Sequence, residues 1–468
     1  MRFCTHFCLP FSEPFNFNYC IYNKYHLLNN LFFCNGISTQ NLSTKSGLSN
    51  ILINTFVAMY LNLTNKRVNE MPLALLALTL SAFAIGTTEF VIVGLIPTMA
   101  SDLNVSLPSA GLLVSLYALG VAVGAPVLTA LTGKMNRKHV LLAVMSLFVI
   151  GNLLAWQAPG YNTLIFARIL TGLAHGVFFS IGSTIATGLV TKEKAASAIA
   201  IMFTGLTVAL VTGVPLGTYI GQTFGWQSTF LIVALLGLIA LVGSAFLVPS
   251  NLKQPPAAKL SSQLKVLTQP RLLLVYAITA LGYGGTFTAF TFLAPILQQE
   301  TGFNANAISL IMLVYGVSVA IGNIWGGKMA DKMGPIKALT IIFSGLAAIL
   351  VIFNFTAVNP ITAVATILVW GAFAFGNVPG LQVYVVKLAE KYTPDAVDVA
   401  SGLNIAAFNV GIALGSWGGG MIVSEMGLMH TPWIGAVIVL VALALTQVSG
   451  SLDRRTTIQL SEKSVLVK

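Results

Sequence analysis

Charge is scarce in this chain. Only 8% of its 468 residues are Asp, Glu, Lys or Arg, while 56% are hydrophobic; soluble domains carry roughly 25% charged residues. That scarcity excludes an ordinary water-soluble fold. Cysteine is scarcer still: Cys4, Cys8, Cys20 and Cys34 are the only four, and the apolar body holds none. Their irregular spacing matches no zinc pattern, even with His6 among them, so no metal site is expected. No paired carboxylates, histidine cluster or H-E-x-x-H motif appears, which argues against an enzyme. The formal charge of +11 does not indicate a nucleic-acid partner. The basic residues stand singly along loops, where a membrane surface accounts for them.

Long apolar runs fill the rest. Runs of about 20 apolar residues read as membrane spans, and because they are continuous rather than alternating they specify helices, not a barrel. Twelve are expected, at roughly 73–98, 110–132, 139–157, 163–189, 195–220, 228–248, 272–297, 306–327, 337–356, 361–386, 399–424 and 432–452. Loops after the even-numbered spans carry the Lys and Arg residues; loops after odd-numbered spans carry only Asp102, Glu300, Glu425 and His430. The positive-inside rule therefore predicts that both termini are cytoplasmic.

The chain also repeats itself. An offset of 198 residues puts Pro97 on Pro295, Tyr117 on Tyr315, Gly124 on Gly322 and Lys134 on Lys332. The expected organisation is an all-α integral membrane protein whose twelve spans form two six-helix repeated halves, 71–248 and 272–452. The connection 249–271 is a cytoplasmic linker and 453–468 a cytoplasmic tail. Residues 1–70 look foreign to this body, with twelve Asn, twelve aromatics and Ala58 as their only alanine. They are expected to be a disordered tail or an upstream mistranslation, with the true start at Met59 or Met71.

Two ionised side chains stand inside this apolar body: Glu89 in span 1 and Arg168 in span 4, with His175 two turns further on. A charge at the bilayer centre costs at least about 2.5–3.5 kcal/mol on insertion scales, so such residues mark function. At about 1.5 Å per helical residue, Glu89 lies roughly 15 Å below the outer surface, Arg168 roughly 8 Å and His175 roughly 18 Å. Glu89 is thus between the other two in depth. Arg168 and His175, seven apart, share a helix face with Gly172 between them.

Two further motifs stand out. The loop after span 8 reads Gly327-Lys-Met-Ala-Asp331-Lys332-Met-Gly334, where a glycine permits a tight turn and an acid can cap a helix or pair with basic neighbours. Its first-half copy is degenerate, with Thr129, Gly133 and Asn136 in place of Gly, Asp and Gly. Lys134, Arg137 and Lys138 keep its basic character, and Asn136 is suited to the left-handed turn. In span 5, Gly205, Ala209, Gly213, Gly217 and Gly221 recur every four residues with Pro215 among them, a smooth face for close helix contact.

These features resemble the major facilitator superfamily: the G-x-x-x-D-[RK]-x-G loop, the span-4 arginine followed by glycine as Arg168-x-x-x-Gly172, and Gly213-Val-Pro215-Leu-Gly217. The last resembles the motif of its drug:proton antiporter branch. With Glu89 and His175 in their local sequences, the nearest resemblance is to the arabinose-efflux-permease-like group of twelve-span antiporters, over about 71–455. The resemblance implies that spans 1 and 4 are adjacent, and a bacterial inner-membrane monomer exporting a small molecule, driven by the proton gradient without a cofactor. A carboxyl alternating between a dry, protonated state and a wet, charge-paired one suits a proton carrier. Glu89 is expected in that role, with Arg168 modulating it and His175 relaying or hydrogen-bonding. A static buried Glu89–Arg168 pair is the competing reading.

Polar and aromatic residues within apolar spans are the candidates for the substrate cavity: Thr87, Thr88, Phe178 and Phe203 in the first half, and Tyr283, Phe287, Trp370, Asn377, Asn404 and Phe408 in the second. The second half has no acid or base at membrane depth, so proton handling is assigned to the first. Uptake of a sugar or nucleoside stays open as the alternative, and a receptor or membrane-embedded enzyme as a remote one.

Overall fold

The computed structural model describes residues 73–128, 131–132, 135–191, 194–251 and 265–466. The expectations for residues 1–70, for Lys134 and for most of the 249–271 linker fall outside them. Among the described residues the regular structure is helical throughout, and twelve helices are long and apolar enough to cross a membrane. They are α1 Leu73–Asp102, α2 Leu107–Leu128, α3 Arg137–Trp156, α4 Tyr161–Gly188, α5 Ser197–Phe224 and α6 Trp226–Leu247, then α7 Pro270–Gln299, α8 Ala305–Met333, α9 Pro335–Thr356, α10 Pro360–Tyr392, α11 Pro394–Glu425 and α12 His430–Arg454.

The ends of these helices follow local chemistry. Asn304 and Asn359 cap α8 and α10 by accepting from main-chain N–H groups one turn in, Asn304 at 2.9 Å from Ala307 and Asn359 at 3.0 Å from Ile361, which satisfies donors that have no partner within the helix. Pro270, Pro335 and Pro360 open α7, α9 and α10, where the missing N–H costs nothing. The tight reversal between α8 and α9 is made by Gly334, whose φ of 82° is open to glycine without strain.

Three expectations are corrected here. Gly327 is no turn residue: α8 runs on to Met333, so Gly327, Asp331 and Lys332 all lie in its last turns. Charge marks where a helix leaves the lipid, whereas a positive-φ glycine followed by proline marks where it ends. Asp331 is exposed and, among the described residues, has no ion pair. Asn136 does not take the left-handed turn; its φ is −59°, and it caps α3 by accepting from Lys138 N at 2.9 Å while donating to the Ser250 carbonyl at 2.8 Å. Arg137 and Lys138 are accordingly the first residues of α3. The segment after Leu452 is no separate tail, since α12 continues as one helix to Leu466.

The helices from α1 to α6 pack mainly on one another, as do those from α7 to α12. The glycine face of α5 lies along α1: a Cβ on Gly205 would strike the Thr79 carbonyl, one on Gly213 the Thr87 side chain, one on Gly217 Val91 and one on Gly221 Leu95. Midway, Ala209–Gly213 widens into a π-turn just before Pro215, as helices do where the regular ladder is interrupted. In the same way Gly411, Gly415 and Gly419 of α11 lie against the Ala280, Gly284 and Thr288 carbonyls of α7. Close packing of this kind holds α1, the helix carrying Glu89, in one rotation.

Between the two groups, α2 packs along α11 as far as Gly124–Leu128, and further close contacts stand toward the end of the bundle that carries Asp102. Gly316 of α8 meets the Leu210 carbonyl of α5, Gly420 of α11 meets Pro108 of α2, and Gly111 of α2 meets Phe292 of α7. Ser309 of α8 donates to Gln222 Oε1 of α5 at 2.8 Å. Toward the end that carries Arg137 and Lys332, the first segment of α5, Ala195–Val208, packs instead on α1 and α4.

Candidate functional site: an unpaired acid between two groups of helices

Glu89 lies in the middle of α1, 7% exposed, within a continuously buried stretch from Ala84 to Ile96. Its Oε2 is 3.9 Å from His175 Nδ1 on α4. That same nitrogen is 2.9 Å from the Tyr117 hydroxyl on α2; with the imidazole proton on Nε2, Tyr117 donates to it. No hydrogen bond reaches the Glu89 carboxyl among the described residues.

Arg168 is 1% exposed and is spent elsewhere. Its Nη1 donates to the Thr88 carbonyl at 2.8 Å, its Nε to the Leu113 carbonyl at 3.4 Å, and its Cζ sits 4.1 Å from the centroid of the Tyr117 ring. Nη2 is buried without a partner. Among the described residues no ion pair joins Arg168 to Glu89, so the static pair is not the arrangement found. The carbonyls and the ring together supply the negative partners that the cation needs. The Thr88 hydroxyl donates to Asn152 Oδ1 of α3 at 2.8 Å, and Asn152 Nδ2 donates to the Phe148 carbonyl at 2.9 Å. The main-chain segment gripped by Arg168 is thus held from α3 as well.

Five buried rings form a cluster that includes Phe90, the chain neighbour of Glu89. Tyr283 stacks on Phe287 with centroids 5.7 Å apart and meets Phe375 at 5.6 Å and Phe408 at 4.6 Å. Phe90, next to Glu89 on α1, reaches Phe287 at 6.3 Å and Phe375 at 6.0 Å. It is the ring of the first six helices in a cluster otherwise drawn from α7, α10 and α11.

The cavity candidates divide accordingly. Tyr283, Phe287 and Phe408 come together. Thr87 and Thr88 do not face the rings: Thr87 bonds the Phe83 carbonyl and packs on Gly213, and Thr88 bonds Asn152. Trp370 is turned among Tyr315 and Phe353, and Asn377 is wholly buried with Nδ2 on the Ala374 carbonyl. Asn404 joins three helices, accepting from Thr279 at 2.7 Å and donating to Gln382 at 3.0 Å. The Thr87 and Thr88 hydroxyls and the Asn404 amide are consumed in packing because a buried polar group needs a partner, whereas Asn377 Oδ1 and Trp370 Nε1 are buried without one. Phe178 lies in the core of the first six helices, while Phe203 touches Phe179, whose ring is 4.9 Å from that of His175.

Four residues of the site escaped the sequence reading. Asn152 was legible as the one amide in the apolar run of α3, and Phe90 as the neighbour of Glu89. Tyr117 served only as a marker of the repeat, and Phe375 carries no local signal. The repeat itself sharpens the asymmetry: at the 198-residue offset Phe287 stands in the place of Glu89. Tyr315, the counterpart of Tyr117, stacks on Phe290 at 4.6 Å instead of holding a cation.

The description "Major Facilitator Superfamily" belongs to the family model that matches residues 78–397. The chain is 54% identical over 382 residues to the uncharacterized MFS-type transporter YtbD of Bacillus subtilis (strain 168), covering 82% of this chain and 96% of that protein. It is 41% identical over 378 residues to the inner membrane transport protein YdhP of Escherichia coli (strain K12), 80% of this chain and 95% of that one. Among solved structures, a D-xylose–proton symporter superposes with a TM-score of 0.66 at 17% identity, over 80% of this chain and 96% of the symporter, a likeness of fold.

Proposed function

The chain belongs to the major facilitator superfamily and is a multi-pass transporter of the bacterial inner membrane, not an enzyme; from that premise we propose that it exports small organic molecules in exchange for protons by alternating access. The observation that carries the proposal is the Glu89 carboxyl, buried without a hydrogen-bond donor, 3.9 Å from His175, and one residue from Phe90, whose ring joins a cluster drawn otherwise from the other six helices. A buried carboxylate lacking partners is costly, so a proton, a cationic or hydrogen-bonding ligand, or water entering on opening must satisfy it. Those are the alternatives an exchanger cycles through.

Charge distribution along the loops supports cytoplasmic termini, which makes the Asp102 end the outer one. Closure at that end then corresponds to a site reached from the cytoplasm. There Glu89 releases its proton and substrate is loaded. Opening to the outside lets Glu89 take a proton as substrate leaves, with His175 as the neighbouring relay and Arg168 as modulator through the Thr88 main chain. The proton gradient is the energy source, no cofactor takes part, and one chain forms the whole unit.

Transport in everted vesicles, with sugars, nucleosides and lipophilic cations as probes, tests the proposal. Accumulation that collapses with a protonophore is expected for at least one class. Substrate movement indifferent to the proton gradient overturns antiport, and flux in the opposite direction under the same gradient identifies uptake.

A further inference from the structure

Tyr117 carries two contacts that no other residue of the site combines. The face of its ring takes the Arg168 guanidinium at 4.1 Å, and its hydroxyl meets His175 Nδ1 at 2.9 Å. Its own main chain is pinned: a Cβ on Gly172 would strike the Tyr117 carbonyl, and Gly120 and Gly124 approach the α4 main chain at Ile169 and Leu173. The small residues that let α2 and α4 touch therefore set where this ring stands.

We infer that Tyr117 is a positioning residue, whose ring holds Arg168 off the Glu89 carboxyl. The physical reason lies in the alternative. Arg168 keeps one buried nitrogen, Nη2, without a partner, and Glu89 keeps a carboxyl without a donor. Arg168 already bonds the residue that precedes Glu89, and opposite charges in a dry interior attract strongly, so a free guanidinium would turn to Glu89. The Thr88 carbonyl, on α1 itself, and the Leu113 carbonyl hold two of its nitrogens and leave Nη2 uncommitted; the ring occupies the face of the guanidinium and completes the grip. Once paired with Arg168, Glu89 would keep its charge through the cycle and carry no proton.

The ionisable groups around Glu89 are Arg168 and His175 from α4, Tyr117 from α2, and Tyr283 of α7 from the other six helices, within reach of the Glu89 charge. At this depth α3, α5 and α6 add none. Arg168 is the one permanent cation among them, which is why its placement governs the acid. The inference rests on Glu89 being the proton carrier.

Infrared difference spectroscopy on the full-length protein purified in detergent, with no substrate, tests it by following the carboxyl band that Glu89→Gln removes. Tyr117→Phe and Tyr117→Trp keep a ring face, and the band is expected to titrate as in the unaltered protein. Tyr117→Leu removes the face, and the band is expected to disappear at a pH lower by about one unit or more, the effect of a new opposite charge. A Tyr117→Leu protein that titrates unchanged, or a Tyr117→Phe protein that moves as far as Tyr117→Leu, overturns the role of the ring. If Glu89→Gln removes no titrating band at all, it is the proton-carrier reading that falls, and the role of Tyr117 with it.

Discussion

Arg168 Nη1 donates to the main-chain oxygen of Thr88 at 2.8 Å, one residue before the Glu89 carboxyl. The cation therefore bonds the main chain beside Glu89 and forms no ion pair with its carboxyl. A carboxyl held near a cation but not bonded to it can exchange its proton without first breaking a buried salt bridge, whose rupture costs about 3–5 kcal/mol. Four expectations follow from this arrangement and the packing around it.

Glu89→Gln keeps the shape of the side chain and removes its titration. Transport driven by a pH gradient is expected to fall to the background of empty vesicles, while the protein still elutes as a single folded species. Full retention of pH-driven transport in everted vesicles would discard the mechanism.

Gly172→Leu drives a side chain into the Tyr117 carbonyl, where even a Cβ has no room. Overpacking of this kind costs about 1–3 kcal/mol, read as a lower thermal midpoint in detergent. Gly418→Ala, at a position with nothing within 4 Å of the added Cβ, is the control and is expected to be neutral or stabilising by up to about 1 kcal/mol.

Asn404→Ala removes a side chain that accepts from Thr279 and donates to Gln382. Leaving such buried groups without partners costs about 1–3 kcal/mol. The expected result is a lower thermal midpoint with an unchanged ranking of transported probes. A change of ranking at unchanged stability would return Asn404 to the cavity wall.

Gly316→Trp places a large side chain where α8 meets the Leu210 carbonyl, which obstructs closure at the Asp102 end. A cysteine introduced at Phe90, in a background without the native cysteines, is then expected to react faster with an impermeant thiol reagent added from that side. Equal labelling rates with and without Gly316→Trp would mean that this contact does not hold that end closed.

Much of this protein was readable before any coordinates. Twelve spans, their near-limits and the two midplane ionisable groups follow from hydropathy, because lipid tolerates only helices whose polar groups are satisfied internally. The glycines of α5 were legible as a contact face for the same reason, since a four-residue spacing has one geometric meaning on a helix. Local chemistry misled where it admits two outcomes: Asn136 suits a left-handed turn or a cap, and Gly327 suits a turn or a helix interior. Only the continuation of α8 to Met333 and the start of α3 at Arg137 decide between them.

The sequence by itself determined that Glu89 lies at a depth between Arg168 and His175 in an apolar body, since depth is a count along a helix. Which of them touch was settled by the tertiary structure alone. Partner choice depends on the rotation of each helix and on what intervenes, and a ring from a third helix intervenes here. Tyr117 stands between Arg168 and His175 because glycines bring α2 against α4. Glu89 is left without a hydrogen bond, with His175 at 3.9 Å, while Arg168 has found carbonyls and a ring.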